Sequence, residues 1–193
     1  MRVSKSNKYP SFLGWLIALL WLSTFSVYGA GFSAEVKQAE MKLQREDYLF
    51  SAVLVYHLSD KAKNALQNGV PLFWNVHFKL QQPYFMFLKS TLIDVVIRYR
   101  IQYHALLNMY RVRNEFNGEV YNFSTLPAAL ELMSVINDLD IIKKTDLDAK
   151  KTYFFYVKVD FDRDALPLPL RPIAYIDTQW YLSSDWTLWP LKK

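Results

Sequence analysis

The strongest constraint on the fold is a stretch of twelve residues in which large apolar side chains occupy every second position. The stretch covers residues 70–81, and its apolar side chains are Val70, Leu72, Trp74, Val76, Phe78 and Leu80. Successive side chains of a β-strand point to opposite faces, so this spacing predicts a strand with one apolar face. A face of six large apolar side chains needs an opposing layer from elsewhere in the chain.

Similar alternation recurs in most of the sequence after residue 33. It predicts further strands over residues 34–45, 48–58, 92–104, 109–116, 120–123 and 153–162, and one or two short strands near the tryptophan-rich end. Both faces of residues 48–58 are apolar, which predicts a central or sandwiched strand. Asn117 and Gly118 predict a type I′ hairpin turn, because both residue types tolerate positive φ. Pro83 predicts the end of the strand over residues 70–81.

Two short helices are predicted between these strands. Ser59 and Thr125 are good N-caps, and Gly69 suits the left-handed position after the first helix. Residues 166–172 contain several prolines, which lack the donors of a β-ladder and exclude this run from a sheet. The sequence therefore predicts one mainly β (α+β) domain over residues 34–191, an antiparallel β-sandwich or curled sheet of seven or more strands with two short helices.

A basic and then apolar segment precedes this domain. The apolar run covers residues 12–27, and the basic residues before it are Arg2, Lys5 and Lys8. This order is typical of a bacterial export signal, with cleavage after Gly29 because Val27 and Gly29 occupy the two small-residue positions. The run also approaches the ~20 residues that a membrane-spanning helix needs. Residues 1–29 are thus predicted as a signal peptide or as an uncleaved N-terminal anchor helix.

The N-terminal segment also predicts where the protein works. After cleavage the domain is periplasmic, and with a retained helix it is held at the inner membrane on the periplasmic side. We expect membrane contact only through this segment. The chain contains no cysteine, so the sequence excludes disulfides and a lipid-modified cysteine.

Charge argues against a nucleic-acid partner. The formal net charge of the chain is +5. Three of the positive charges belong to the N-terminal segment, so the predicted domain is close to neutral. A nucleic-acid-binding domain carries a much stronger basic balance, and none is predicted here.

The residue types that support catalysis do not form a recognisable motif. The histidines are His57, His77 and His104, each on the more polar face of a predicted strand, without the spacing of a zinc site. The carboxylates Asp160, Asp162 and Asp164 cluster at a strand end but lack the glycine and distal glutamate of an EF-hand, and are predicted to be solvated. Residues 183–185 lack the context of a nucleophile elbow. We predict no catalytic residue, metal or cofactor.

Two groups of side chains form a predicted interaction surface. Four arginines alternate outward on consecutive predicted strands: Arg98, Arg100, Arg111 and Arg113. They predict either a basic stripe that faces acidic headgroups or a partner, or cross-strand pairs with acids such as Asp94 and Glu115. Three tryptophans near the C-terminus, Trp180, Trp186 and Trp189, can stack on a ligand or pack on the core.

Three blocks of sequence carry a resemblance to a known family. The first comprises residues 58–59, 65–66 and 68–72, the second residues 103–107 and 110–112, and the third residues 166–172, 180, 182–186 and 189. Together they resemble the proteobacterial family catalogued as domain of unknown function 4390, over roughly residues 34–191. Pro127 and Ala128 depart from the acidic residues expected there. The resemblance implies a short exported protein and brings no assigned reaction or cofactor. Genes of this family often lie beside that of an envelope sensor kinase, which implies a periplasmic accessory role.

These observations favour a non-enzymatic binding or accessory module of the cell envelope, whose partner is an envelope protein such as a sensor or assembly factor. An alternative is a carrier for a lipid or another apolar ligand held between sheet and helices, suggested by the aromatic run over residues 84–88. A third hypothesis is a metal-dependent enzyme that uses the histidines or the aspartates near residue 162.

Overall fold

The strands of the domain are long and antiparallel. The computed structural model describes residues 33–85 and 88–191, so the predicted signal or anchor helix lies outside the described residues. Nine strands occur within those ranges: β1 (Ser33–Gln44), β2 (Asp47–His57), β3 (Leu72–Phe85), β4 (Leu88–His104), β5 (Met109–Asn114), β6 (Val120–Phe123), β7 (Val135–Lys143), β8 (Phe154–Phe161) and β9 (Thr187–Pro190). Every paired neighbour runs antiparallel.

The strands form two sheets that pack face to face. One has the order β1-β2-β7, and the other has the order β6-β5-β4-β3-β8-β9. Phe50 of β2 contacts Phe78 of β3 and Phe155 of β8, with ring centroids 4.7 and 6.1 Å apart. The three-stranded sheet is therefore the opposing layer that residues 70–81 require. The predicted mainly β, antiparallel fold is confirmed.

The buried faces are those that the alternation predicted. On β3 the buried side chains are Leu72, Trp74, Val76, Phe78 and Leu80, and on β8 they are Phe155, Val157, Val159 and Phe161. β2 is central in its sheet, as predicted, and buries one face. Its other apolar face is open, and Val53 is exposed there. We call the face of the six-stranded sheet that points away from the three-stranded sheet its outer face.

Both predicted helices are present. They are α1 (Asp60–Gln67) and α2 (Leu126–Met133), and the Ser59 hydroxyl accepts a hydrogen bond from the Ala62 amide (3.1 Å). Gly69 has a φ of 82° and follows α1 in the left-handed conformation, as predicted. A third helix, α3 (Arg171–Ile176), was not predicted and begins within the proline-rich run. No helix within residues 33–85 and 88–191 is long and apolar enough to cross a membrane.

Pro83 does not end its strand, contrary to the prediction. β3 continues to Phe85, and Pro83 is paired with Lys89 of β4. The pairing of β3 with β8 ends at Gln81, so Pro83 has a ladder neighbour on one side only. A proline that lacks an amide donor is tolerated at such an edge, and the register shifts between Pro83 and Phe85.

The turn after β5 differs from the predicted type I′ turn. Gly118 has a φ of 80°, but Asn117 does not have positive φ. The Gly118 amide instead donates to the Asn114 carbonyl (2.9 Å), which closes a longer connection. The hairpin itself is present, and β6 returns antiparallel to β5.

Candidate functional site

The three histidines are not brought together as a metal-binding group. His57 ends β2, His77 lies on the outer face of β3, and His104 ends β4. Across residues 33–85 and 88–191, no three histidine or carboxylate side chains are placed to hold a metal ion. Burial lowers the pKa of His77, so its imidazole is neutral at pH 7, and its ring centroid is 6.0 Å from that of Trp186.

The aspartates at the end of β8 each have a separate contact. The partners are Lys158 for Asp160 (2.9 Å), Arg98 for Asp162 (2.9 Å) and the hydroxyl of Tyr175 for Asp164 (2.7 Å). Asp162 also caps the following turn by accepting a hydrogen bond from the Ala165 amide (3.1 Å). Asp160 and Asp162 are each paired with a cation, whereas Asp164 accepts a hydrogen bond from a neutral phenol, so the three carboxylates hold local structure.

Of the four arginines in the predicted interaction surface, one is paired with acids and three are not. Arg98 contacts Glu115 (3.1 Å) and Asp162 (2.9 Å), and its guanidinium lies 4.7 Å from the centre of the Phe73 ring. Of the two acids expected to pair with the arginines, Glu115 does so, whereas Asp94 contacts Lys79 (3.0 Å). Cross-strand pairing with acids thus explains Arg98.

Arg100, Arg111 and Arg113 form no ion pair with any described carboxylate. Arg100 lies directly opposite Arg113 across the β4–β5 ladder, and Arg111 lies opposite Gln102. Nη2 of Arg100 donates to Oε1 of Gln102 (2.5 Å), and Nε of Arg111 donates to Oδ1 of Asn122 (3.0 Å). Like charges directly opposite each other in a ladder destabilise a sheet. The Arg100 guanidinium also lies 5.8 Å from the centre of the Phe73 ring, whereas no side-chain contact of Arg113 with the described residues offsets its repulsion from Arg100.

These arginines line one cavity, which we call the arginine pocket. Its volume is about 170 Å³, and its lining residues are Arg100, Gln102, His104, Arg111, Arg113 and Val120. Nε2 of His104 is buried and has no hydrogen-bond partner among the described residues. Gln102 is held in place, because its Nε2 donates to the Gly69 carbonyl (3.0 Å) while its Oε1 accepts from Arg100. No acidic side chain lines the pocket.

The chemistry of the arginine pocket suits an oxyanion. Arginine remains protonated at all relevant pH values and presents a planar fork of donors that matches carboxylate or phosphate. Three guanidiniums in one pocket place three positive charges around a small volume without a protein counter-charge.

The three predicted tryptophans have different environments. Trp180 is buried and stacks on Phe161, with ring centroids 6.0 Å apart, so it belongs to the core. Trp189 is half-buried at the edge of the six-stranded sheet. Trp186 is 45% exposed, and Nζ of Lys79 lies 5.4 Å from the centre of its ring. Among the three, Trp186 offers the most ring surface to solvent.

A second cavity lies between the two sheets. It has a volume of about 310 Å³ and is lined by Ile97, Tyr99, Asn114, Phe116, Asn117, Glu119, Tyr121, Leu132, Val135, Ile136, Asn137 and Leu139. Residues of β4, β5 and β6 line one side of this cavity, and residues of α2 and of β7, the edge strand of the three-stranded sheet, line the other. Burial and the Glu119 carboxylate raise the pKa of Tyr99, so its phenol stays neutral. We call this cavity the inter-sheet cleft.

Fold and surface together define a two-sheet antiparallel β domain with a cation-rich outer face. The sequence matches the family described as domain of unknown function (DUF4390) over residues 32–190. The chain belongs to this family, which confirms the resemblance carried by its sequence blocks. A search of curated proteins and a search of solved structures found no match.

Proposed function

We propose that this protein is a non-enzymatic binding module of the bacterial cell envelope and that the arginine pocket holds an anionic group of its partner. The observation that carries the proposal is the placement of Arg100 opposite Arg113, next to Arg111, without an acidic partner. Such an arrangement reduces stability, and a bound anion compensates for it.

The envelope location is supported by the sequence. The basic and apolar segment over residues 1–29 has the order of an export signal or anchor, and the family match begins at residue 32, after it. A module in the periplasm can serve a membrane-bound sensor or an assembly factor. Fractionation of the native cells and an intact mass of the purified protein test this part. A full-length mass from the cytoplasm would contradict it.

Binding in the arginine pocket can be measured with soluble probes. We expect isothermal titration calorimetry to detect binding of at least one of three anions: inorganic phosphate, hexaglutamate and monomeric dibutanoyl phosphatidylglycerol. A hydrogen bond to a charged group contributes about 1.5–3 kcal/mol, so removing two guanidiniums in Arg111→Gln/Arg113→Gln weakens binding by at least roughly 100-fold.

A matched control removes two positive charges elsewhere. Arg45 and Lys143 lie near the β1–β2 turn and have no ion pair among the described residues. The double variant Arg45→Gln/Lys143→Gln has the same net charge as the pocket variant, and we expect it to bind like the wild type. The proposal fails if the wild type binds none of the three probes, or if both double variants lose affinity equally.

The inter-sheet cleft favours a second candidate function, a carrier for an apolar ligand. Its lining includes Phe116, Leu132, Ile136 and Leu139, and it opens at the side of the sandwich. Native mass spectrometry of the protein from its own cells is expected to show a bound mass. Leu139 is paired with the buried Phe50, so its side chain points into the cleft and Leu139→Trp fills the space. A wild-type protein without extra mass would exclude a carrier, as would an equal load on Leu139→Trp.

A further inference from the structure

The connection between β4 and β5 exposes apolar side chains beside the arginine pocket. Residues 105–107 form a single 3₁₀ turn, which Asn108 closes in the left-handed conformation with a φ of 49°. Leu106 is 102% exposed and Leu107 is 59% exposed. Two neighbouring leucines without cover at the tip of a hairpin contribute nothing to this core. Contiguous exposed apolar groups are typical of contact sites.

The tip is apolar, and the strand segments behind it are basic. Residues 105–110 contain no charged side chain, whereas His104 precedes them and Arg111 follows them. Strands rise about 3.4 Å per residue, so Arg111 lies roughly 7 Å along β5 from Met109, and Arg113 a further ~7 Å away. An apolar tip followed by cationic groups at this depth matches the boundary between lipid chains and headgroups, where surface-bound segments are buried by ~5–10 Å.

We propose that this end of the domain docks on an anionic phospholipid surface, with Leu106 and Leu107 among the acyl chains and the arginine pocket on lipid phosphates. The inference rests on the proposed function and names the anion as a lipid headgroup. A phosphate diester fits the pocket because its oxygens accept from several guanidiniums at once. A cluster of basic side chains at an anionic leaflet is attracted to it independently of the apolar contact.

The chain enters the domain at the same end. Ser33, the first described residue, is paired with His57 at the end of β2. The end of β2 lies against the start of β3, because the rings of Tyr56 and Trp74 are 5.6 Å apart. β3 in turn begins opposite Ile101, close to the end of β4. An N-terminal segment that stays in the membrane would therefore join the domain at the end that we propose docks.

Other features of this end are compatible with a lipid surface. Leu168 and Ile176 follow β8 at the same end and are exposed. The carboxylate of Asp177 after α3 is paired with Lys61 of α1, and burial of this pair would not leave an isolated negative charge. The apolar contact thus extends beyond the β4–β5 connection.

A fluorescent probe at the tip tests the docking in the full chain. The chain has no cysteine, so Leu106→Cys carries a single environment-sensitive nitrobenzoxadiazole label. Leu43→Cys provides the matched control, because Leu43 is exposed near the β1–β2 turn at the opposite end of β1. Both proteins retain the N-terminal segment, so the label reports the local environment and not capture by that segment.

We expect the label at residue 106 to shift to the blue with vesicles of phosphatidylcholine and phosphatidylglycerol, and to be quenched by a nitroxide on the acyl chain. Pure phosphatidylcholine vesicles and the label at residue 43 give no shift. Each arginine near an anionic surface adds a favourable free energy of binding. We therefore expect Arg111→Gln/Arg113→Gln to lower the ratio of docked to undocked protein roughly 30-fold. The double variant Arg45→Gln/Lys143→Gln retains the shift.

The failure of this inference can be told apart from the failure of the proposed function. If calorimetry detects a soluble anion in the arginine pocket while the label at residue 106 stays in water, the pocket binds another ligand and membrane docking is overturned. Equal shifts with both vesicle types, unaffected by the arginine variants, would overturn the role of the pocket in docking. With the label kept at residue 106, Leu107→Ser is expected to reduce the blue shift and to leave binding of dibutanoyl phosphatidylglycerol unchanged.

Discussion

Arg113 offers a direct way to ask whether the arginine pocket is built for binding or for folding. It lies opposite Arg100 in the β4–β5 ladder and has no ion pair or side-chain hydrogen bond among the described residues. Replacing it with glutamine removes one of two like charges that face each other. We therefore expect Arg113→Gln to make the protein more stable, although most substitutions destabilise.

The size of the effect follows from the geometry of the pair. Directly opposed cross-strand pairs change stability by about 0.2–1 kcal/mol, with like charges on the unfavourable side. For a domain of this size, 1 kcal/mol corresponds to about 2–4 °C in Tm. Arg113→Gln is thus expected to raise Tm by up to about 4 °C at low ionic strength.

Thermal and urea unfolding at two salt concentrations measure this effect. The Debye length falls from about 30 Å at 0.01 M to about 3 Å at 1 M salt, so the gain should disappear at the higher concentration. Arg113→Lys keeps the charge and should show no gain. Arg98→Gln should be destabilised by about 1 kcal/mol, because it loses contacts with Glu115 and Asp162.

If Arg113→Gln loses as much stability as Arg98→Gln at both salt concentrations, Arg113 supports the fold directly. The unpaired arginines would then be structural, and the main argument for a binding site in the arginine pocket would be lost.

Further predictions concern the core and its response to pH. Phe50 packs between Phe78 and Phe155, so Phe50→Ala should lower the free energy of unfolding by about 3–5 kcal/mol in urea titrations; a loss below about 1 kcal/mol would contradict the face-to-face packing. Burial raises the pKa of Tyr56, whose hydroxyl donates to the Met133 carbonyl (3.3 Å). The unfolded phenol titrates near ~10, so this stabilisation is complete below pH ~10 and is lost as the pH rises above it. Tyr56→Phe should therefore flatten the alkaline loss of stability, and an unchanged slope would count against a buried phenol.

Much of the fold could be predicted because apolar and polar side chains alternate regularly along its strands. The alternation in β3 and β8 identified the buried side chains, and Ser59 and Gly69 identified the start and end of α1. These features depend on residues that are close together in the sequence. The signal is strongest where one face is buried along a whole strand.

β7 was missed because its pattern is interrupted. Ala52 pairs with Ile136 and Phe50 with Leu139, so β7 contains an extra residue at this point, and Asp138 adopts a φ of 48° there. Its backbone amide donates to the Ser51 hydroxyl (3.1 Å) instead of following the regular ladder. A bulge of this kind interrupts the alternation of apolar and polar side chains, so the sequence of β7 does not show the regular pattern of a strand.

The arginine pocket could be predicted only in part. Alternation placed Arg98, Arg100, Arg111 and Arg113 outward, but it could not show which of them meets an acid. That outcome depends on Asp162, which reaches Arg98 from the end of β8. The burial of His104 Nε2 also depends on tertiary packing. The uncharged residues 105–110 between basic positions were a visible signal, but their exposure required the structure.

Titration of dibutanoyl phosphatidylglycerol into the wild type, Arg111→Gln/Arg113→Gln and Arg45→Gln/Lys143→Gln decides whether the arginine pocket binds phosphate. We expect binding to the wild type and to the Arg45 and Lys143 variant, a loss of at least roughly 100-fold in the pocket variant, and weaker binding as salt increases. No binding to the wild type, or equal affinity in all three proteins, would contradict a phosphate-binding role for the arginine pocket.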